Sequence, residues 1–209
     1  MLLYVDTQFV SPYAMSVFVA LKEKGLPFEL QQLDLNAGAT HQPDYAARSL
    51  TARLPALVDG NFTLTESTAI TEYLDEAYPG QGTALYPKDI KDKARARQVQ
   101  AWIRSDLMPI REERSTMVLF YQPNPAALSA AARNAAQKLF RAAEALLAHG
   151  GEHLFGQWSI ADLDLALVLN RLVLNGDAVP ERLADYARHQ WQRPSVQEWV
   201  RQVRPSLGE

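Results

Sequence analysis

The 209-residue chain contains no cysteine. That absence removes a disulfide framework, a thiolate zinc site and a cysteine nucleophile together. A dithiol redox cycle is excluded for the chain acting alone. Long apolar runs are also missing. No stretch approaches the roughly 18 apolar residues that a bilayer-spanning helix needs, so no membrane partner is expected. Residues 1–10 lack the basic patch and small-residue cleavage site of a signal peptide, and Ser11-Pro12 interrupts their apolar run; a cytoplasmic location is the expectation. A strong excess of one sign of charge is missing as well. With 21 basic and 24 acidic residues and a net charge of -3, the chain has little of the basic excess typical of a nucleic-acid binder. Its richest basic stretch, 88–97, is interleaved with Asp89 and Asp92 and reads as a solvated helix start. The four histidines suggest no metal centre. His149 and His153 have helical spacing, but Gly150-Gly151 breaks a helix between them and no third ligand is evident.

What is present is an ordinary globular composition, 47% hydrophobic and 22% charged. Residues 2–5 read as a strand. Pro12 opens a helix whose apolar positions include Met15, Phe18 and Val19, and Gly25 suits the left-handed residue just past its end. Residues 28–33 alternate with period two, so strand, helix and strand form a crossover unit with parallel strands. After an irregular polar segment, 34–50, two strands at 56–58 and 62–64 flank Asp59-Gly60-Asn61, a hairpin signal. A helix follows over 66–78. Beyond Pro87 every periodic segment reads as helix: one long element over 89–120, kinked at Pro109, then 126–149, 160–174, 181–188 and 195–203. The chain therefore divides into a mixed α/β domain at 1–79, a linker at 80–87 and an all-helical domain at 88–209.

Four short motifs carry chemistry or structure. Ser11-Pro12 joins a favoured N-cap residue to a proline suited to the first helical turn. The same geometry presents backbone N–H groups and a partial positive charge to an anion, and a serine hydroxyl that accepts from the backbone still has a proton to donate. Capping and ligand binding are both compatible with the pattern. Leu54-Pro55 precedes a strand and is either an ordinary trans bond or a cis bond exposing the Leu54 backbone. Glu66-Ser67 opens a helix, where it serves the first turn or holds the charged groups of a ligand. Ser159-Ile160-Ala161-Asp162 has the spacing of a capping box, with Trp158 and Leu163 as its hydrophobic staple, and reads as structural.

Taken in this order, Ser11-Pro12-Tyr13, Leu54-Pro55, Glu66-Ser67 and the Ser159–Asp162 box resemble the glutathione transferase family over essentially the whole chain. The stretches 100–114, 170–174 and 186–193 are similar to its bacterial YfcF-type subgroup. The resemblance implies a thioredoxin-like N-terminal domain, an all-helical C-terminal domain and a homodimer. It implies glutathione as co-substrate, without a metal, and a small electrophile or peroxide as second substrate, bound at an apolar cleft between the domains. Residue by residue, Ser11 would contact the glutathione sulfur and Leu54, before a cis Pro55, would pair with the cysteinyl backbone. Glu66 and Ser67 would bind the γ-glutamyl end. Ser159 and Asp162 would carry over as a folding cap. Tyr4 is a second candidate for the sulfur contact, since many members use a tyrosine near the first strand. Mixed disulfides of the cysteine-type members are unavailable here. A non-catalytic glutathione-binding or interaction module is the alternative function.

Overall fold

The computed structural model describes residues 1–206, and by compactness the chain forms two units. The first comprises residues 1–85 together with the segment from Pro194; the second comprises Tyr86–Arg193. Sequence continuity had grouped 88–209 together, whereas the C-terminal segment packs with the first unit.

The first unit is built on a four-stranded sheet in the order β2-β1-β3-β4. Strand β1 (Leu2–Asp6) leads into helix α1 (Pro12–Lys24), which returns the chain to β2 (Glu29–Leu33), parallel to β1. Gly25, at φ 65°, ends α1 in the left-handed region where a glycine carries no steric cost. The polar segment after β2 contains a 3-10 turn (Ala39–His41) and the short helix α2 (Pro43–Ala46). Strands β3 (Ala56–Asp59) and β4 (Phe62–Thr65) form the hairpin, with β3 antiparallel to β1. Helix α3 (Ser67–Ala77) then packs on α1. Leu3 and Val5 of β1 are fully buried and Tyr4 between them is half-buried, so strand alternation sends the apolar pair to one face. Helix α10 (Pro194–Val200) packs against α1 through Trp199, whose ring lies 5.3 Å from that of Phe18.

The second unit contains α4 (Ile90–Ser105), α5 (Met108–Glu113), α6 (Met117–Phe120), α7 (Ala130–Leu146), α8 (Ile160–Val173) and α9 (Glu181–Trp191). The expected continuous helix over 89–120 is instead three pieces. The break falls at Asp106 and Leu107, the latter at φ 62°, before Pro109 is reached. Pro109 sits in the first turn of α5, where its missing N–H leaves no hydrogen bond unmade. Helix α8 is buried from Ile160 to Leu172, as expected for a helix surrounded by others. Its charged residues are paired: Asp164 accepts from Gln100 (2.7 Å) and Arg104 (3.0 Å), and Arg171 donates to the Arg114 carbonyl (2.7 Å). Asp162 accepts from the N–H groups of Leu154 and Ser159 and from the hydroxyls of Ser159 and Tyr186. Among the described residues no helix is long and apolar enough to cross a membrane.

Two consequences are measurable. A Cβ at Gly82 would lie 2.2 Å from the Glu23 carbonyl oxygen, and Gly82 has φ 53°. Gly82→Ala is expected to lower stability by about 2 kcal/mol, or ~4–8 °C in Tm, in a thermal melt. Asp106 accepts from Lys138, the Leu107 N–H and the Trp102 indole, and the Lys138 contact leads in lowering its pKa to about 2. Because the folded-state value is depressed, its contribution is present above the unfolded value and is lost as pH falls through the folded one. The stability advantage of wild type over Asp106→Asn is therefore expected to be constant above about pH 5 and to shrink toward pH 2 in acid titrations of unfolding.

Candidate functional site

The strand directions converge on one end of the sheet. Tyr4 pairs with Ala56, and Ala56 pairs with Thr65. The C-terminal end of β1, the start of β3 and the end of β4 therefore lie together. Ser11 follows β1, Leu54-Pro55 immediately precedes β3, and Glu66-Ser67 immediately follows β4. The register thus draws three segments far apart in sequence to one edge of the first unit.

The loop carrying Ser11 is held from inside the fold. Asp6, 2% exposed, accepts from the Val10 N–H at 2.8 Å with one carboxylate oxygen and from the Ser11 N–H at 3.1 Å with the other. Ser11 caps α1, its Oγ accepting from the Ala14 N–H at 3.2 Å. That bond uses a lone pair. Among the described residues the hydroxyl proton has no acceptor, so it remains available to a ligand. The N-terminal turn of α1 adds its partial positive charge at the same place.

The Leu54-Pro55 bond is cis. The preceding turn is anchored by Tyr45, whose hydroxyl donates to the Arg53 carbonyl at 2.7 Å, while burial raises the Tyr45 pKa. Glu66 is exposed and stands before α3 at φ 70° and ψ 113°, outside the regions an ordinary side chain prefers. Such a conformation costs ~1–3 kcal/mol and persists where the surroundings over-determine it. Ser67 beside it is buried. An exposed carboxylate, a buried hydroxyl and a helix start suit the ammonium and carboxylate of an amino-acid-like ligand end.

Other sequence candidates lie elsewhere. Ser159 and Asp162 form a capping box in the second unit. Tyr4 packs edge-on against Tyr45, ring centroids 5.3 Å apart. His149 turns back on its own loop, accepting from the Gly151 N–H at 3.0 Å. His153 instead meets Glu152 and His189, a grouping the sequence spacing did not reveal because His189 is on α9. Gln190 donates its amide both to the Glu152 carbonyl (2.8 Å) and toward His153 Nδ1 (3.2 Å). Sequence reasoning missed Asp6 and Arg204. Asp6 ends a strand without a motif to mark it, and Arg204, whose guanidinium donates to the Phe9 carbonyl at 3.2 Å, lies 195 positions away.

The glutathione S-transferase N-terminal domain model matches residues 9–82 and the corresponding C-terminal domain model matches residues 89–203. Glutathione S-transferase Z1 of Arabidopsis thaliana is 32% identical over 176 residues, covering 81% of this chain and 79% of that protein. Glutathione S-transferase 3 of Zea mays is 40% identical over 94 residues. That match spans 45% of this chain and 40% of the maize protein, and several other curated relatives are likewise covered over about two fifths of their length. A crystal structure of a glutathione transferase homolog from Burkholderia, with bound glutathione, is 46% identical and superposes with a TM-score of 0.79 over 95% of each chain. A maleylacetoacetate isomerase from Methylobacterium extorquens, 27% identical, gives 0.75 over 99% of this chain and 100% of its own. The fold is thus a thioredoxin-like domain joined to an all-helical one. The chain belongs to the glutathione S-transferase family.

The cap and any ligand role of Ser11 are separable by measurement. Ser11→Ala is expected to cost about 1 kcal/mol through loss of the Ala14 bond, read as a lower urea midpoint with unchanged m-value.

Proposed function

We propose that this protein is a glutathione transferase of the serine type, in which Ser11 stabilises the thiolate of bound glutathione for attack on an electrophile. The observation that carries the reading is the unspent Ser11 hydroxyl proton at the start of α1, on the sheet edge shared with Leu54-Pro55 and Glu66-Ser67. Leu54 would pair through its backbone with the cysteinyl residue. Ser67 and the start of α3 would hold the γ-glutamyl carboxylate, and Glu66 its ammonium. The bound structure of the Burkholderia homolog supports glutathione as the ligand.

The magnitudes suffice. A free thiol has a pKa near ~8.5, and lowering it by ~2 units requires ~2.7 kcal/mol of preference for the anion. A hydroxyl hydrogen bond to a charged group offers ~1.5–3 kcal/mol and a helix N-terminus ~0.3–1. No protein base is needed. The thiol proton goes to solvent, Ser11 donates to the thiolate, and sulfur bonds to the electrophilic carbon as the leaving group departs. Ser11 is never the nucleophile.

We also propose the remaining finer assignments: membership of the YfcF-type subgroup, peroxide or disulfide reduction alongside conjugation, a cytoplasmic location and a homodimer. Any disulfide reduction would need a second glutathione or a thiol on the substrate, because the chain has no cysteine.

The test is conjugation of glutathione to an activated aryl chloride. Wild type is expected to turn over, and Ser11→Ala to lose about 10–100-fold in kcat/KM with glutathione still bound, as befits one lost charge-assisted hydrogen bond. Unchanged turnover in the variant would sink the role of Ser11. Glutathione binding without turnover in the wild type would favour the non-catalytic module. Incubation with oxidised glutathione is expected to add no covalent mass to the protein, checked by intact mass spectrometry.

A further inference from the structure

The loop that presents Ser11 is gripped from outside as well as from inside, and the outer grip comes from the far end of the chain. Phe9 has φ 50°, a left-handed conformation that a bulky residue adopts only when held there. Its N–H donates to the Asp6 carbonyl at 3.1 Å, and its ring packs edge-on against Trp199 at 5.3 Å. Its carbonyl accepts from Arg204 at 3.2 Å. The same guanidinium donates to the carbonyls of Trp199 (3.0 Å), Val200 (2.7 Å) and Gln202 (3.0 Å). Arg204 therefore adds donors at the C-terminal end of α10, where the Trp199 carbonyl also accepts from the Gln202 N–H at 3.1 Å, and ties that end to Phe9.

We propose that Arg204 is a positioning residue for Ser11: by holding Phe9 in its left-handed conformation, it sets the aim of the Ser11 hydroxyl at the bound thiol. Asp6 and Arg204 act on the two sides of one short loop. The carboxylate draws in the N–H groups of Val10 and Ser11, and the guanidinium holds the carbonyl of Phe9 immediately before them. Without Arg204, Phe9 keeps its contacts to the Asp6 carbonyl and the Trp199 ring but loses the restraint on its own carbonyl, which lets φ shift toward negative values. That rotation reorients the Phe9–Val10 peptide and, through it, the N–H groups on which the Asp6 clasp depends. Helix capping alone is the competing role. It accounts for the contacts to the Trp199 and Val200 carbonyls of α10, but not for the contact to the Phe9 carbonyl, which belongs to the loop before α1.

This proposal rests on the reading of Ser11 as the thiolate-stabilising group, so the experiment measures the loop and the thiol separately. Arg204→Ala, Arg204→Lys and Ser11→Ala are compared with wild type. Amide hydrogen exchange reports the loop, and absorbance of the bound glutathione thiolate against pH reports the thiol. Arg204→Ala is expected to raise exchange at residues 9–11 about tenfold or more while the β3–β4 hairpin keeps its protection. It is expected to raise the thiol pKa by about one unit, so kcat/KM falls about fivefold near pH ~6.5, approaches a roughly tenfold loss below about pH 5.5, and converges on wild type above the free thiol value. Arg204→Lys, which retains a donor but not the fork, is expected to recover part of both effects.

Lowered Tm with wild-type exchange at 9–11 and a wild-type thiol pKa would reduce Arg204 to a helix cap and overturn the proposal. If Arg204→Ala does not fold, Arg204→Lys carries the test, and a wild-type pH profile in it overturns the proposal equally. If Ser11→Ala leaves the thiol pKa unmoved, the Ser11 reading fails and the aiming of the hydroxyl fails with it. If Ser11→Ala raises the pKa and the Arg204 variants do not, the Ser11 reading stands and only the role of Arg204 is lost.

Discussion

Both carboxylate oxygens of Asp6 accept from backbone N–H groups of the loop that follows its own strand, and the side chain is almost entirely shielded from water. A buried carboxylate is costly unless fully hydrogen-bonded, so the loop from β1 into α1 has little freedom to take another path. Its course determines where α1 begins, and α1 in turn packs against α3 on one side and α10 on another. The placement of Ser11 follows from this one turn, and the helix it opens is the one against which the C-terminal helix is seated.

The second unit depends on a comparable device. Asp162 is fully buried and accepts four hydrogen bonds, two from backbone and two from hydroxyls, at the start of a helix whose flanks are wholly covered. Burial raises its pKa, opposed by the donors around it, and burial also drives the Tyr186 hydroxyl well above its ordinary value. In each unit a buried carboxylate holds backbone N–H groups next to the start of a central helix. The Asp6 clasp stands beside a candidate ligand site, whereas Asp162 completes the capping box of α8.

Elements with local causes were legible in the sequence. Helix α1 runs from Pro12 to Lys24, between its serine cap and Gly25, because both end signals are contained in neighbouring residues. The hairpin and the parallel β1–β2 pair follow from a turn signal and a crossover of suitable length. The helix expected over 89–120 was not legible in detail. Proline is the obvious place to break it, yet the chain turns at Asp106 and Leu107, where side-chain and tertiary hydrogen bonds to Trp102 and Lys138 stabilise the end of α4. The cap at Ser129 likewise receives Glu113, 16 positions earlier, and shortens the following helix to Ala130–Leu146.

The sequence alone determined the class of the molecule. Cysteine is absent, the α/β pattern gives way to helices after Pro87, and Ser11-Pro12, Leu54-Pro55 and Glu66-Ser67 follow one another in an order that resembles a glutathione transferase. Those features reside in composition, periodicity and short spacings, all of which are local. Tertiary structure alone decided that three of those motifs share a sheet edge, that the Ser11 proton is unspent, and that Arg204 closes on Phe9. Each depends on strand register or on contacts across most of the chain, and no local pattern encodes either. Ser11 reads in the sequence as a helix cap; its surroundings show a lone pair engaged in that cap and, among the described residues, no acceptor for its proton.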